Sequence, residues 1–405
     1  MAAAPSTPRL ERLRAAVRHQ NPRSAQPPPA SLPPIREILR GDWHETPHGH
    51  AFVREEWLPL DHRHGRIELG APLAASQRAL AALARGGSPH PSRLGFFDIE
   101  TTGLAGGTGT YIILAGLGWF EDGAFRLRQY FLADVGAERA MLALLAQDLG
   151  RLGGLVTYNG RAFDVPLTSA RFTLTRTPAP LARLAHIDLL HPVRRLYAHR
   201  MPGCRLAEAE RRLLKLERPD DIPGALIPSL YFDYVRAGRA APLRAVFAHN
   251  ADDVLSMAGI LAAVARLLEG PEREPEDAVA VARWLEREGD EPAALALYRD
   301  ALPWLEGGDD WRWAALRYAR ICRRAGARPE AAALWARLWE AGERDAGLPL
   351  AKHLEHHDRD FGAAESVVLA LLQRCPPADE PALLRRLERI RRRAQSGARQ
   401  RRRIA

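Results

Sequence analysis

The stretch Leu94–Leu104 reads LGFFDIETTGL and sets two carboxylates, Asp98 and Glu100, inside an apolar run. An ionised carboxylate is costly to bury unless it is paired or holds a metal. Side chains along a strand alternate between its two faces, so Asp98 and Glu100 share one face and Ile99 takes the other. Two hard oxygen donors on one face suit a divalent cation.

Strand character continues beyond this segment. Thr108–Phe120 reads as a second strand, and Ala124–Leu132 as a third, with Phe125, Leu127, Gln129 and Phe131 at alternate positions. The short turns at 104–107 and 121–123 make the three antiparallel neighbours. Glu138–Leu149 then has helical spacing, and Leu155–Tyr158 is a fourth, buried strand. A helix follows Asp164, a strand is expected around Ala185–Leu189, and helices run through Leu206–Leu216 and Leu243–Leu268. Three antiparallel strands followed by alternating helices and parallel strands is the order of the ribonuclease H fold. The expected class is therefore α/β, a mixed sheet flanked by helices. In such a sheet the first strand, the end of the fourth and the last helix converge on one face.

Upstream, residues 1–40 are rich in Pro and Arg and bury too little apolar surface to order themselves, so they read as a disordered arm. Residues 41–90 form an accessory segment crowded with His44, His48, His50, His62 and His64. Two His-x-His pairs on strands could serve a zinc ion, or the segment could be a short polar hairpin. Ala71–Gly87 within it has helical spacing, and Ser88–Arg93 is a linker.

Downstream, Gly270–Pro275 breaks the chain and the remainder is all-helical. The segment Gly289–Tyr298 is echoed 37 residues later by Gly326–Trp335, and more weakly by Asp360–Leu369. That spacing is near the tetratricopeptide period of about 34. Small Ala294 and Ala331 allow close helix packing, and aromatic Tyr298 and Trp335 fill the groove between paired helices. Residues 276–390 thus read as tetratricopeptide-like repeats, and 391–405 as a basic tail. Such a tail could bind phosphates by counterion release or simply be solvated.

The formal charge of +9 over 405 residues suggests a nucleic-acid binder until the charges are located. Residues 381–405 hold ten Arg against one Glu, and 1–40 hold seven Arg against two Glu, leaving 41 basic against 46 acidic residues between them. The body is mildly acidic and offers no basic groove along its sequence. Lys215 and Lys352 are the only lysines, a pattern of GC-rich coding that discounts Arg abundance as a signal. The scattered Cys204, Cys322 and Cys375 form neither a disulfide framework nor a CxxC motif, which suits a reducing cytoplasm. No secretory signal is read at the N-terminus, and the longest apolar run, Tyr111–Phe120, is short for a bilayer, so no membrane is expected.

Two more acidic positions join the opening pair. In Tyr158-Asn-Gly-Arg-Ala-Phe-Asp164 a strand end turns through Asn159-Gly160 and presents Asp164 at a helix start. In His249-Asn-Ala-Asp-Asp253 an aspartate follows a histidine by one helical turn. Four carboxylates from three elements could meet around two cations.

FDIETTGL, YNGRAFDVPL and HNADDV resemble the three motifs of the DEDD (DnaQ-like) 3′–5′ exonucleases. With DDIPG at 220–224 and the repeat-like C-terminus, the chain is similar more narrowly to the bacterial YprB-type ribonuclease H-like proteins. The resemblance implies an exonuclease domain over 91–270, with Asp98, Glu100, Asp164 and Asp253 as ligands of two Mg²⁺ or Mn²⁺ ions and His249 as general base. It further implies substrate contacts from Thr101, Thr102, Leu104, Asn159 and Phe163, and hydrolysis of single-stranded DNA or RNA by a two-metal mechanism. The helical repeats would take a protein partner. Histidine is the side chain whose charge changes near neutral pH, as a general base requires. The step from His249 to Asp253 is four residues, the spacing of tyrosine-type members, where histidine-type members use five. This rotates the ring on its helix and leaves Asp252 as a substitute ligand. Two other readings stay open: a binding scaffold with a degenerate nuclease domain, and an endonuclease on the same fold.

Overall fold

In the computed structural model, residues 35–103, 109–271, 273–306, 308–374 and 376–404 are described. The chain forms two units, divided between Gly270 and Pro271.

In the first unit, helix α1 (Ile35–Leu39) precedes strands β1 (Asp42–Thr46) and β2 (Gly49–Pro59), a small hairpin β3 (Arg63–His64) and β4 (Ile67–Glu68), and helix α2 (Gln77–Leu83). Strands β5 (Leu94–Thr101), β6 (Ile112–Glu121) and β7 (Ala124–Phe131) follow, then α3 (Glu138–Leu149), β8 (Gly154–Thr157), α4 (Asp164–Leu174), β9 (Ala185–Asp188) and α5 (Leu190–Tyr197). Helix α6 (Leu206–Ala209) widens into a π-turn at Glu210–Leu214 and is followed by α7 (Ile227–Ala237) and the long α8 (Leu243–Glu269).

Seven of the described strands form one sheet in the order β1-β2-β7-β6-β5-β8-β9, and β3 and β4 pair separately. β5 pairs antiparallel with β6 and parallel with β8, so it lies inside the sheet and is apolar on both faces through Phe97. Phe97 and Ile99 enter a core beneath α3 with Met141, Leu142 and Leu145. On the opposite face, α8 delivers Val246 and Phe247 to a core shared with Phe52, Phe131 and Tyr231.

Residues 42–59 are the part of the accessory segment that the sequence reading did not assign to this sheet. β2 pairs with β7 from Phe52↔Phe131 to Pro59↔Ala124, and Phe52 and Val53 are buried where they cross it. The histidines are not gathered on one face. His64 is buried, with Nε2 at 2.7 Å from the Ser256 hydroxyl, and burial pushes its pKa down to about 4. The neutral ring fastens the β3–β4 hairpin to α8.

The second unit contains α9 (Pro275–Arg287), α10 (Glu291–Ala301), α11 (Asp309–Arg324), α12 (Arg328–Glu340), α13 (Gly347–His353), α14 (Phe361–Leu372) and α15 (Glu380–Ile404). Their inner faces share one core, in which Ala294, Tyr298, Ala331 and Trp335 are all buried. The arginine run that the sequence sets apart from residue 391 continues α15 as helix. Leu383, Leu387 and Ile390 give α15 an apolar stripe, and Arg386 and Arg389 reach the buried carboxylate of Glu355 at 2.5 and 2.7 Å. No helix among the described residues is long and apolar enough to cross a membrane.

Candidate active site

The site begins with one row of the sheet, where Asp98 of β5 faces Gly116 of β6, and Gly116 faces Gln129 of β7. A glycine inside a strand often marks a close approach, and here the approaching group is Asn250 of α8. A Cβ on Gly116 would lie 2.3 Å from Asn250 Oδ1. Through that opening Asn250 accepts a 2.9 Å bond from Gln129 Nε2 and donates a 2.9 Å bond to Asp98 Oδ2. Gln129 also donates to the Phe247 carbonyl at 2.8 Å, so the sheet, the helix and the carboxylate are locked together. Asn250 is fully buried.

Glu100 projects on the same face as Asp98, next to a register shift between Glu100 and Thr101 that ends the regular pairing with β6. Asp164 opens α4. The turn before it holds Asn159 in the left-handed region at φ 64°, where Asn is tolerated better than most residues, and packs Gly160 on Thr157. Asp188, at the end of β9, secures that turn. Its carboxylate accepts from the backbone N–H groups of Asn159 at 2.8 Å, Arg161 at 3.1 Å and Leu190 at 3.2 Å. Asp188 thus positions the segment that carries Asp164.

His249 and Asp253 lie one turn apart on α8. The His249 ring faces the carboxylates, with Nε2 at 3.6 Å from Glu100 Oε1 and 3.9 Å from Asp253 Oδ2. The four-residue spacing therefore still turns the imidazole toward the pocket. Its Nδ1 is 2.7 Å from Asp221 Oδ1, so Nδ1 carries the proton donated to Asp221 and Nε2 is left toward the carboxylates. Asp221 belongs to DDIPG, whose role was not visible in the sequence. Arg218 donates to Asp253 Oδ1 at 2.7 Å, lies 3.5 Å from Asp221 Oδ2, and is bonded to the buried Glu210 at the start of the π-turn.

These carboxylates perturb one another. Burial, then repulsion from Asp253, Glu100 and Asp164, raises Asp98 well above the usual carboxylate range, against the pull of the Asn250 bond. Burial, then Asp253, Asp164 and Asp221, pushes Glu100 up to about 9. Asp164 is pushed up to about 7, chiefly by burial, although backbone N–H groups including that of Ile99 oppose the shift. Asp253 is also raised by burial, with Arg218 and His249 acting against it. The charge of Asp253 bears on Asp98, Glu100 and Asp164, and its carboxylate lies 3.9 Å from His249 Nε2. Asp253 is therefore the member of the pair that belongs to this cluster.

Among the described residues, no three Asp, Glu, His or Cys side chains are already gathered into a coordination shell. The donor chemistry nevertheless fits a hard divalent cation: a buried carboxylate from α4 and half-buried ones from β5 and α8, mutually repelling, whose charge such an ion would offset.

The other expected contacts are placed differently. The Thr101 hydroxyl donates to the Gly103 carbonyl at 3.0 Å, and Thr102 Oγ1 accepts from the Tyr111 N–H at 3.0 Å, so both engage the backbone where β5 gives way to its loop. Asn159 is exposed at the turn, Phe163 is half-buried against the core beneath α3, and Leu104 lies outside the described residues. The sequence reading missed Asn250, Gln129, Arg218 and the role of Asp221. A glycine in the middle of β6 opposite an aspartate, with a glutamine at an inward position of β7, was the available signal for the first two.

Compared with known proteins, residues 95–265 match the profile of the RNase H superfamily. The chain is 31% identical over 330 residues to "Uncharacterized protein YprB" of Bacillus subtilis (strain 168), covering 78% of this chain and 79% of that one. Among solved structures it is similar to the family B DNA polymerase from the hyperthermophilic archaeon Pyrobaculum calidifontis, with a TM-score of 0.35 and 15% identity over 66% of this chain. The matched part spans 34% of the polymerase chain.

Proposed function

Because this chain belongs to the ribonuclease H superfamily, whose membership suggests a nuclease and implies nucleic-acid binding, we propose that it is a DEDD-type 3′–5′ exonuclease acting on single-stranded DNA or RNA. The observation that carries this reading is the meeting of Asp98, Glu100, Asp164 and Asp253 in one pocket, with His249 Nε2 turned toward it. A pure binder gains nothing from clustered carboxylates facing phosphates.

In this reading the four carboxylates would hold two Mg²⁺ or Mn²⁺ ions. Bound there, the ions would supply an acidified water and charge neutralisation at the attacking and leaving oxygens. His249 takes the water's proton at Nε2. Asp221 accepts from Nδ1–H, which fixes the tautomer and steadies the imidazolium that forms. Asn250 and Gln129 hold the Asp98 carboxylate in one orientation. In this reading the end of β5 braced by Thr101 and Thr102, together with Asn159 and Phe163, borders the terminal nucleotide, and the tetratricopeptide-like helices of residues 276–390 take a protein partner.

The test is release of nucleotides from an end-labelled single strand in Mn²⁺. Wild type is expected to shorten the strand stepwise from its 3′ end, with Asp98→Ala and Asp164→Ala slowed at least about 100-fold, the scale of a lost group that acts in the transition state. Undiminished activity in both variants would refute the reading. Internal fragments from an end-blocked strand would move it to endonucleolytic cutting.

A further inference from the structure

Beside the carboxylate pocket the fold assembles cationic side chains from three segments of the sequence. Arg85, just after α2, is bridged to β9 by two backbone bonds with His186, N–H to carbonyl at 2.9 and 2.8 Å. Arg161 stands in the turn that leads to Asp164. His191 and Arg194 lie one turn apart on α5, on a common face. Asp188, the carboxylate at their centre, is committed to three backbone N–H groups, and His191 Nε2 reaches it only at 4.0 Å. Among the described residues, Arg85, Arg161 and Arg194 form no ion pair.

Like charges are brought together here around one carboxylate, Asp188, which is already bonded to three backbone N–H groups. Burial, and then the charge of Arg85, lowers Arg161 below the usual guanidinium range, and Arg161 and His191 in turn act on His186. Several arginines elsewhere in the first unit are matched to carboxylates. Arg128 binds Asp148, Arg171 binds Glu138 and Arg126 binds Glu55. A local excess of cations, three residues from a carboxylate proposed to work on a phosphodiester, is suited to the phosphates of an approaching chain.

We propose that Arg85, Arg161, His191 and Arg194 form a contact surface for the sugar–phosphate backbone of the single strand whose end enters the carboxylate pocket. The proposal rests on the nuclease reading for the strand's direction of approach, and its own content is the anchoring of several consecutive phosphates. Such contacts carry no sequence information and position the strand. They also answer the mildly acidic balance of the body, since the cations are concentrated by folding and not by sequence.

The experiment is fluorescence anisotropy of a fluorescein-labelled oligo-dT strand with full-length protein in EDTA, across a range of salt concentrations. Arg85→Ala/Arg161→Ala is expected to bind roughly 10-fold more weakly, and its slope of log K against log salt should be shallower by about 1.4, from two lost phosphate contacts at about 0.7 each. Arg85→Lys/Arg161→Lys should recover much of the affinity. Should the alanine pair fail to fold, Arg194→Ala, on an exposed helix position, carries the same test with half the change in slope.

Wild-type affinity and slope in the alanine variants would overturn the proposal, as would an absence of strand binding by wild type. Displacement of the strand by inorganic phosphate at constant ionic strength would also overturn it, because a single-anion site would then explain the cluster. Binding that depends on these arginines in a protein that cuts nothing would leave the surface standing and refute the nuclease reading. Cutting together with arginine-independent binding would do the reverse.

Discussion

Glu100→Gln is expected to stabilise the metal-free protein at alkaline pH and to leave it nearly unchanged in acid. Glu100 is pushed from an ordinary 4.5 up to about 9 by burial and by Asp253, Asp164 and Asp221. The folded state therefore holds this proton more tightly than the unfolded chain does. The stability it contributes is complete below the unfolded pKa of 4.5 and is lost as pH rises toward about 9. Each pH unit between those values is worth about 1.4 kcal/mol, so the loss by pH 8 is of the order of 3–5 kcal/mol. Glutamine has the same shape and no charge to bury. Urea unfolding in EDTA at pH 5 and pH 8 would show the variant close to wild type at the first and more stable by that amount at the second. Adding Mn²⁺ at pH 8 should close the gap, since an ion bound by the folded state stabilises wild type by mass action. An equal effect at both pH values, or a variant less stable at pH 8, would refute the claim that burial and neighbouring charge hold the Glu100 pKa up.

Two further changes examine the supports. Asn250→Ala removes the bonds to Asp98 and from Gln129 inside a fully buried site; it is expected to cost about 2–4 kcal/mol in chemical denaturation and to lower Mn²⁺ affinity in calorimetry. Glu355→Gln breaks the pairing of a fully buried carboxylate with Arg386 and Arg389. Burial opposes its ionisation, but the arginines hold the pKa below 4.5, so this stability is present above that pH and is lost as pH falls through the lower, folded value. The variant is expected to lose about 3 kcal/mol at pH 7 and much less at pH 3, measured by thermal unfolding of the full chain.

The legible parts of the site were those written locally. The alternation of β5 put Asp98 and Glu100 on one face, the Asn159-Gly160 turn delivered Asp164 to a helix start, and one helical turn joined His249 to Asp253. The rest was hidden because it depends on partners far apart in the chain. Asp221 reads only as part of DDIPG until packing brings it within 2.7 Å of a ring 28 residues later. The strand character of residues 42–59 could be guessed, but their attachment to β7 is a choice of neighbour that no local pattern encodes.

By itself the sequence determined which residues are acidic on which face and where the strands and helices run. Those properties follow from the 2.0 and 3.6 periods and from turn chemistry, all of which act over a few residues. Only the tertiary structure decided that Gly116 leaves room for Asn250, that Arg218 joins Asp253 to Glu210, and that Arg85 and Arg161 stand together beside Asp188, a carboxylate already bonded to backbone N–H groups. Each is a matter of sheet register or of one element docking on another. The two carboxylates of LGFFDIETTGL were visible as an anomaly, and their repulsion by Asp164 and Asp253 exists only once β5, α4 and α8 are packed together.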